Sequence, residues 1–383
     1  MSEKIPTAKF DGIPTPFYYY DMKVLRDTLD LLKKESSWCG YKVHYAVKAN
    51  ANPRLLKTIG EYGFGADCVS WNEIERSLEN GFKAGDIVFA GVGKNDREIE
   101  AALQADIFCF NSESVQELEV IDSIAGRLGK KARVAIRINP YIEAHTHRHI
   151  TTGIEESKFG IPVHELDDVL QRLRSLKRIK LEGIHFHIGS QINRMQVFKS
   201  LCTRVNEMIE WFGSKNVDLK IINVGGGLGI NYENPSELPS FHEYFSLIRE
   251  MIRIKPGQEL HFEPGRALVA QCGTLISRVL YIKPGSNTNF AIIDAGMTDL
   301  IRPALYQAFH KIENLSSTGE VKQYDIVGPV CESTDTFGRF VKLPETKRGD
   351  LIAIRSTGAY GEVMSSRYNL RDLPGAVFSD DLP

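Results

Sequence analysis

The sequence predicts an α/β protein: a (β/α)8 TIM-type barrel with a C-terminal all-β domain. Three observations carry that reading. Eight short apolar runs alternate with amphipathic stretches up to about residue 270, which is the element count of a closed parallel barrel. Beyond that point the texture turns β-rich and helical patterns become scarce. An aromatic run at 15–20 precedes the first helical pattern, has no slot in the barrel and is expected to join the C-terminal sheet. The expected division is a barrel over 22–270, with 1–21 and 271–383 forming the β domain. A doubly wound open sheet is the alternative for the first part.

The barrel strands are expected at 43–47, 65–69, 87–90, 106–110, 133–138, 181–187, 219–224 and 259–262. Helical stretches fall between them at 53–62, 72–80, 96–104, 112–124, 163–173, 194–211 and 240–252. Asn95 and Ser112 are read as helix caps, because a short polar side chain can take an orphan amide of the first turn. Further strands are expected at 274–282, 289–294, 324–330 and 350–355, with turns marked by Pro284-Gly285 and Arg348-Gly349.

The chain has 383 residues and a formal net charge of −2, with 42% hydrophobic and 25% charged residues. That composition excludes a collagen-like or disordered chain, and near-neutrality argues against a nucleic-acid or membrane partner. No apolar run is long enough to span a bilayer, and the N-terminal residues lack a signal-peptide pattern. Six scattered cysteines without a C-x-x-C pair point to reduced thiols and a cytoplasmic address.

Barrel active sites form where strands end, so the residues that follow each strand are the informative ones. The first strand leads into Lys48. A lysine partly desolvated at a strand end becomes a nucleophilic amine able to form a Schiff base, and the competing reading is a surface lysine. The sixth strand gives His185-Phe186-His187-Ile188-Gly189-Ser190. His185 and His187 lie two apart and share a face. They read as core histidines, as a metal pair, or, for His187, as a stacking or hydrogen-bonding partner of a cofactor. No carboxylate motif accompanies them, and no metal is expected.

The seventh strand is followed by Gly225-Gly226-Gly227 and the eighth by Glu263-Pro264-Gly265-Arg266. Successive glycines let a backbone approach an anion, although a glycine run also serves as a plain turn. With Arg266 and Ser190 it becomes a candidate phosphate cradle. Glu263 is either the carboxylate facing a cofactor or the partner of Arg266. A Schiff-base lysine, a phosphate site and a carboxylate together suit pyridoxal phosphate, whose ring nitrogen wants an acidic partner.

The ordered motifs Tyr45-Ala46-Val47-Lys48-Ala49-Asn50, His187-Ile188-Gly189-Ser190-Gln191, Gly225-Gly226-Gly227, Glu263-Pro264-Gly265-Arg266, Arg302-Pro303-Ala304-Leu305-Tyr306, Cys331-Glu332-Ser333 and Gly358-Ala359-Tyr360 resemble the alanine-racemase-like, fold type III pyridoxal-phosphate enzymes. They are most similar to the diaminopimelate decarboxylase family. The resemblance implies a barrel plus β domain and a homodimer with shared active sites. It implies that Lys48 holds the cofactor, His187 packs on its ring and Glu263 pairs with the ring nitrogen. Ser190, Gly225, Gly226, Gly227, Gly265, Arg266 and Tyr360 would hold the phosphate side. Arg266, Arg302, Tyr306 and Tyr360 would bind substrate, with Glu332 on the distal ammonium, and Cys331 of a partner subunit would protonate the product carbon.

The chemistry agrees with that assignment, since diaminopimelate carries an ammonium and a carboxylate at each end and one end must be spared. Taken without the resemblance, Arg302 reads as a surface residue before a proline-capped helix and Cys331 as a small buried hydrophobe. The implied reaction is pyridoxal-dependent decarboxylation of meso-diaminopimelate to L-lysine and CO2, the last step of lysine biosynthesis. The alternatives are decarboxylation of ornithine, arginine or carboxynorspermidine, or an amino-acid racemase. Trp71 and Tyr141 depart from the family pattern, which has a small and an acidic residue there. The group His145-Thr146-His147-Arg148-His149 reads as a loop rather than a metal site.

Overall fold

The computed structural model of the protein describes residues 5–142 and 158–383, and it divides into two compact units. One comprises 29–229 and 240–265; the other comprises the residues up to 28, 230–239 and 266–383. In chain order the first strand is β1 (Phe17–Tyr20), followed by helix α1 (Met22–Cys39).

The 29–265 unit is the barrel. Its strands are β2 (Lys42–Ala46), β3 (Gly65–Cys68), β4 (Ile87–Phe89), β5 (Cys109–Ser112), β6 (Ala132–Asn139), β8 (Ile179–His185), β9 (Ile221–Asn223) and β10 (Glu259–Phe262), with the short β7 (Ile161–Pro162) beside β6. All pair in parallel in the order β5-β4-β3-β2-β10-β9-β8-β6, and a further β5–β6 pairing closes the ring. Closure overturns the open-sheet alternative. Each strand is covered on both faces, which is why these segments read as near-continuous apolar runs.

Helices α2 (Pro53–Glu61), α3 (Trp71–Glu79), α4 (Asp96–Gln104), α5 (Val115–Arg127), α6 (Leu166–Leu173), α7 (Met195–Ser214) and α8 (Phe241–Met251) alternate with these strands. Their buried residues recur at helical spacing, as in Val197, Leu201, Val205 and Met208 of α7. Burying each such side chain stabilises the fold by about 1.5–3 kcal/mol before entropy is counted. Asn95 caps α4 through a complete capping box with Glu98. The expected cap at Ser112 is corrected: Ser112 ends β5, and Ser114 caps α5 by accepting from the Glu117 amide at 3.1 Å. β5 likewise starts at Cys109 rather than 106, because Asp106 takes φ 56° in the turn leaving α4.

The second unit holds β1 and β11 (Gly273–Pro284), β12 (Asn289–Ile293), β13 (Ile312–Asn314), β14 (Val321–Val327), β15 (Thr336–Pro344), β16 (Leu351–Ile354) and β17 (Gly375–Phe378), with short helices α9 (Arg266–Val269) and α10 (Arg302–Tyr306). The strand order is β13-β16-β11-β12-β14-β15. β1 runs antiparallel to β11 and parallel to β17, so the aromatic N-terminal strand does enter this sheet. Flanked on both edges, its four residues are all buried, and Phe17 and Tyr19 pack with Phe10, Ile276, Leu351 and Ala353. Three strands, β13, β15 and β17, escaped the sequence reading. β15 exposes Arg339, Phe340 and Lys342 in its middle, so no continuous apolar run marks it.

Candidate active site

Four loops at the C-terminal ends of barrel strands carry the expected barrel residues. Lys48 lies in a single 3-10 turn, Val47–Ala49, directly after β2. Its Nζ is 3.5 Å from Oδ2 of Asp67 in β3, and the lysine side chain is only partly exposed while Asp67 is fully buried. Its pairing with a buried carboxylate argues against a plain surface lysine. Burial, reinforced by Glu263, pushes the Asp67 carboxyl up to about 6 against the opposing pull of Lys48.

Glu263 follows β10 and is buried. Its Oε1 accepts from Asn223 Nδ2 at 2.7 Å and Asn111 Nδ2 at 3.1 Å, and its Oε2 lies 2.9 Å from His185 Nε2. Burial alone would raise this carboxyl, but His185 and Lys48 hold it well below the usual carboxylate range. His185 therefore donates from Nε2 to Glu263, which answers its open readings. Among the described residues no group of three or more His, Cys, Asp or Glu side chains is placed to hold a metal. The 145–149 histidine group lies outside the described residues.

His187 stands past the end of β8, and the Gly226 amide points at its Nδ1 from 3.5 Å. Burial, then Lys48 and Arg137, drive its pKa well below the ordinary imidazole value, so the ring is neutral. Arg137 itself is paired with Glu113 at 2.7 Å. The Ser190 loop is stitched to the glycine loop, with the Ile192 amide donating to the Gly227 carbonyl at 2.9 Å and the Gly229 amide returning to Ile192 at 3.1 Å. Gly225 needs its glycine, with φ 72°, and a Cβ on Gly226 would overlap the Glu263 carbonyl oxygen. A Cβ on Gly265 would lie 3.0 Å from Ala46 and Ala49.

The second unit holds the other expected residues. Arg266, Arg302 and Tyr232 are linked: the Tyr232 hydroxyl accepts from Arg266 Nη1 at 2.7 Å and from Arg302 Nη1 at 2.9 Å. Burial would raise the pKa of this phenol, yet the two guanidiniums overcome it and lower it. The Arg266 guanidinium lies 4.9 Å from the Tyr360 ring, and Tyr306 closes α10 near enough to act on the Arg266 charge. Arg302 is buried, so its surface reading is overturned. Cys331 is exposed, which overturns its reading as a small buried hydrophobe. Next to it, Glu332 accepts from the Tyr368 hydroxyl at 2.7 Å.

Trp71 opens α3 beyond the Ser70 cap, and Tyr141 takes φ 53° after β6. Sequence reasoning missed Asp67, Asn111, Asn223, Tyr232 and His310. The first three are polar residues at the C-terminal ends of barrel strands, a signal that was present in the sequence.

The donor set fits pyridoxal phosphate. A buried carboxylate held ionised suits a ring nitrogen, and a lysine amine stands in the same unit. Asp67 Oδ1, Ser112 Oγ and His185 Nδ1 are buried polar atoms with no partner among the described residues, as expected for a barrel mouth built to take a polar group.

The model of the pyridoxal-dependent decarboxylase pyridoxal-binding domain matches residues 24–270. A diaminopimelate decarboxylase of Bacteroides thetaiotaomicron is 55% identical over the full length of both chains. The chain belongs to the diaminopimelate decarboxylase family. The solved diaminopimelate decarboxylase of Helicobacter pylori, complexed with L-lysine, superposes with a TM-score of 0.92 at 40% identity, covering 98% of this chain and 95% of that one. That of M. jannaschii, also with L-lysine, gives 0.88 at 33% identity, covering 95% and 87%. As a member of that family, the chain is a pyridoxal-phosphate-dependent carbon–carbon lyase with the barrel-plus-β-domain architecture of fold type III.

Proposed function

We propose that Lys48, His187 and Glu263 hold pyridoxal phosphate for the reaction of this family, the decarboxylation of meso-diaminopimelate to L-lysine and CO2 that ends lysine biosynthesis. The observation that carries the assignment is the Lys48, Asp67 and Glu263 constellation at the barrel strand ends, in a chain 55% identical to a diaminopimelate decarboxylase. When bound, the cofactor supplies an electron sink for the pair left when the C–C bond breaks.

The chain's own residues do the rest. Lys48 Nζ would hold the cofactor and Asp67 orients that amine. Glu263, kept ionised by His185 and Lys48 and fixed by hydrogen bonds from two asparagines, would face the ring nitrogen and favour its protonated form. Neutral His187 would pack on the ring face. The glycine loop, Ser190, Gly265, Arg266 and Tyr360 would take the phosphate side. Arg302, with Arg266, Tyr306 and Tyr360, would bind the spared carboxylate, and Glu332 the spared ammonium. An ornithine-type substrate lacks that second carboxylate and gives the buried Arg302 charge no anionic partner, which favours diaminopimelate over the other basic amino acids and carboxynorspermidine.

The thiol of Cys331 would return a proton to the product carbon from a partner subunit, in a homodimer with shared sites. Leu370, 96% exposed, with exposed Val363, Tyr368 and Leu373, supports such an interface in this unit. A racemase would need an acid on each ring face, and the sequence offers no match for Cys331. We place the enzyme in the cytoplasm, since all six cysteines are free and no described helix is long and apolar enough to cross a membrane.

The test is CO2 release from diaminopimelate, ornithine, arginine and carboxynorspermidine. Preference for a substrate without the second carboxylate would overturn the role of Arg302. Borohydride reduction followed by peptide mapping should tag Lys48, and a tag elsewhere contradicts the site.

A further inference from the structure

Arg302 makes both of its side-chain hydrogen bonds through one nitrogen. Nη1 donates to the Tyr232 hydroxyl at 2.9 Å and to His310 Nε2 at 2.8 Å. The ring of His310 can accept only if Nε2 carries the lone pair, and its Nδ1 is 2.8 Å from the Arg355 carbonyl oxygen, to which only an N–H can donate. The tautomer is thereby fixed. Burial first, then Arg302, pushes the His310 pKa down to about 3, so the acceptor persists across the working range.

An NH2 group lies in the guanidinium plane, so engaging both of its hydrogens fixes that plane. Tyr232 alone is a weak anchor because its hydroxyl also serves Arg266. His310 supplies the second point, and it meets the Tyr232 ring edge-on at 5.0 Å between centroids. With Nη1 committed, Nε–H and the Nη2 hydrogens of Arg302 have no partner among the described residues. That edge presents two parallel N–H groups, the geometry a carboxylate accepts bidentately.

We infer that His310 is a specificity-determining positioning residue: with Tyr232 it engages both Nη1 hydrogens of Arg302 and turns the Nε–Nη2 edge into the fork for the spared carboxylate. The inference rests on the reading of Arg302 given above. It makes the product-side ligand pair informative, because L-lysine keeps the spared carboxylate and cadaverine is the same chain without it.

The experiment is calorimetric binding of L-lysine and cadaverine to the holoenzyme, wild type, His310→Phe and His310→Gln. His310→Phe should weaken L-lysine by about 10- to 100-fold and cadaverine by no more than about twofold, the loss of a positioned charge-assisted pair. His310→Gln, presenting an amide oxygen near the Nε2 position, should restore most of the lysine affinity. Equal weakening of both ligands, or an unchanged lysine affinity, overturns the inference. If His310→Phe does not fold, Tyr232→Phe removes the other Nη1 acceptor and should show the same lysine-selective loss; a nonselective effect overturns it again. Failure to release CO2 from diaminopimelate would sink the proposed activity while leaving this binding comparison to decide His310.

Discussion

His185 Nε2 and Glu263 Oε2 stand 2.9 Å apart inside the barrel, both side chains almost wholly buried. Replacing His185 by Phe leaves that oxygen buried without its donor. The expected cost is about 2–4 kcal/mol of stability, seen as a lower urea midpoint, together with a loss of activity greater than any loss of folded protein. A variant with wild-type midpoint and rate would mean that the pair does not hold the carboxylate.

Gly226→Ala drives a methyl into the Glu263 carbonyl, whereas Gly85 has open space around it. Pyridoxal phosphate affinity, followed by absorbance titration, should fall by about tenfold or more in Gly226→Ala and stay unchanged in Gly85→Ala. Equal affinities in the two variants would contradict the packing described for the glycine loop.

Asp67 gives a pH signature in the cofactor-free chain. Its carboxyl is raised from 3.8 to about 6, so between pH 4 and 6 the folded state holds a proton that the unfolded state has released. Stability contributed by this group is therefore present below pH 4 and lost as the pH rises to 6. The difference in unfolding free energy between wild type and Asp67→Asn should decline across that window and level off above it. A flat difference would show that Asp67 titrates normally.

Cys331→Ala should lower kcat by about 100-fold or more if the thiol delivers the proton, with little change in KM. Turnover at the wild-type rate would remove Cys331 from the mechanism.

The two serines near α5 separate cleanly. Ser114→Ala should cost about 1 kcal/mol in thermal or urea unfolding, while Ser112→Ala, which removes a buried hydroxyl without a partner, should be neutral or stabilising. The reverse ranking would restore the cap to Ser112.

The barrel was legible because each strand is short, apolar and covered on both faces, and because Asn95 and the glycine turns punctuate it. Lys48 and Glu263 stood out as charged residues directly after apolar runs. What could not be read were partnerships across long sequence separations. Nothing local ties Tyr232 to Arg302, 70 residues on, or Asn111 to Glu263, 152 residues on. His310 lies only eight residues after Arg302, but the αL turn at Gln307 that folds it back follows no glycine. β15 hid for a different reason, its half-exposed charged face.

β1 sits between β11 and β17, so a segment near the start of the chain is completed by one near its end. During synthesis this strand emerges well before either neighbour, and its edge toward β17 stays unpaired until more than 350 further residues have followed. Its four consecutive aromatic residues make that interval the stage most open to aggregation. A truncation of the last ten residues should thus reduce recovery of intact enzyme from cells more severely than its effect on equilibrium stability alone would suggest.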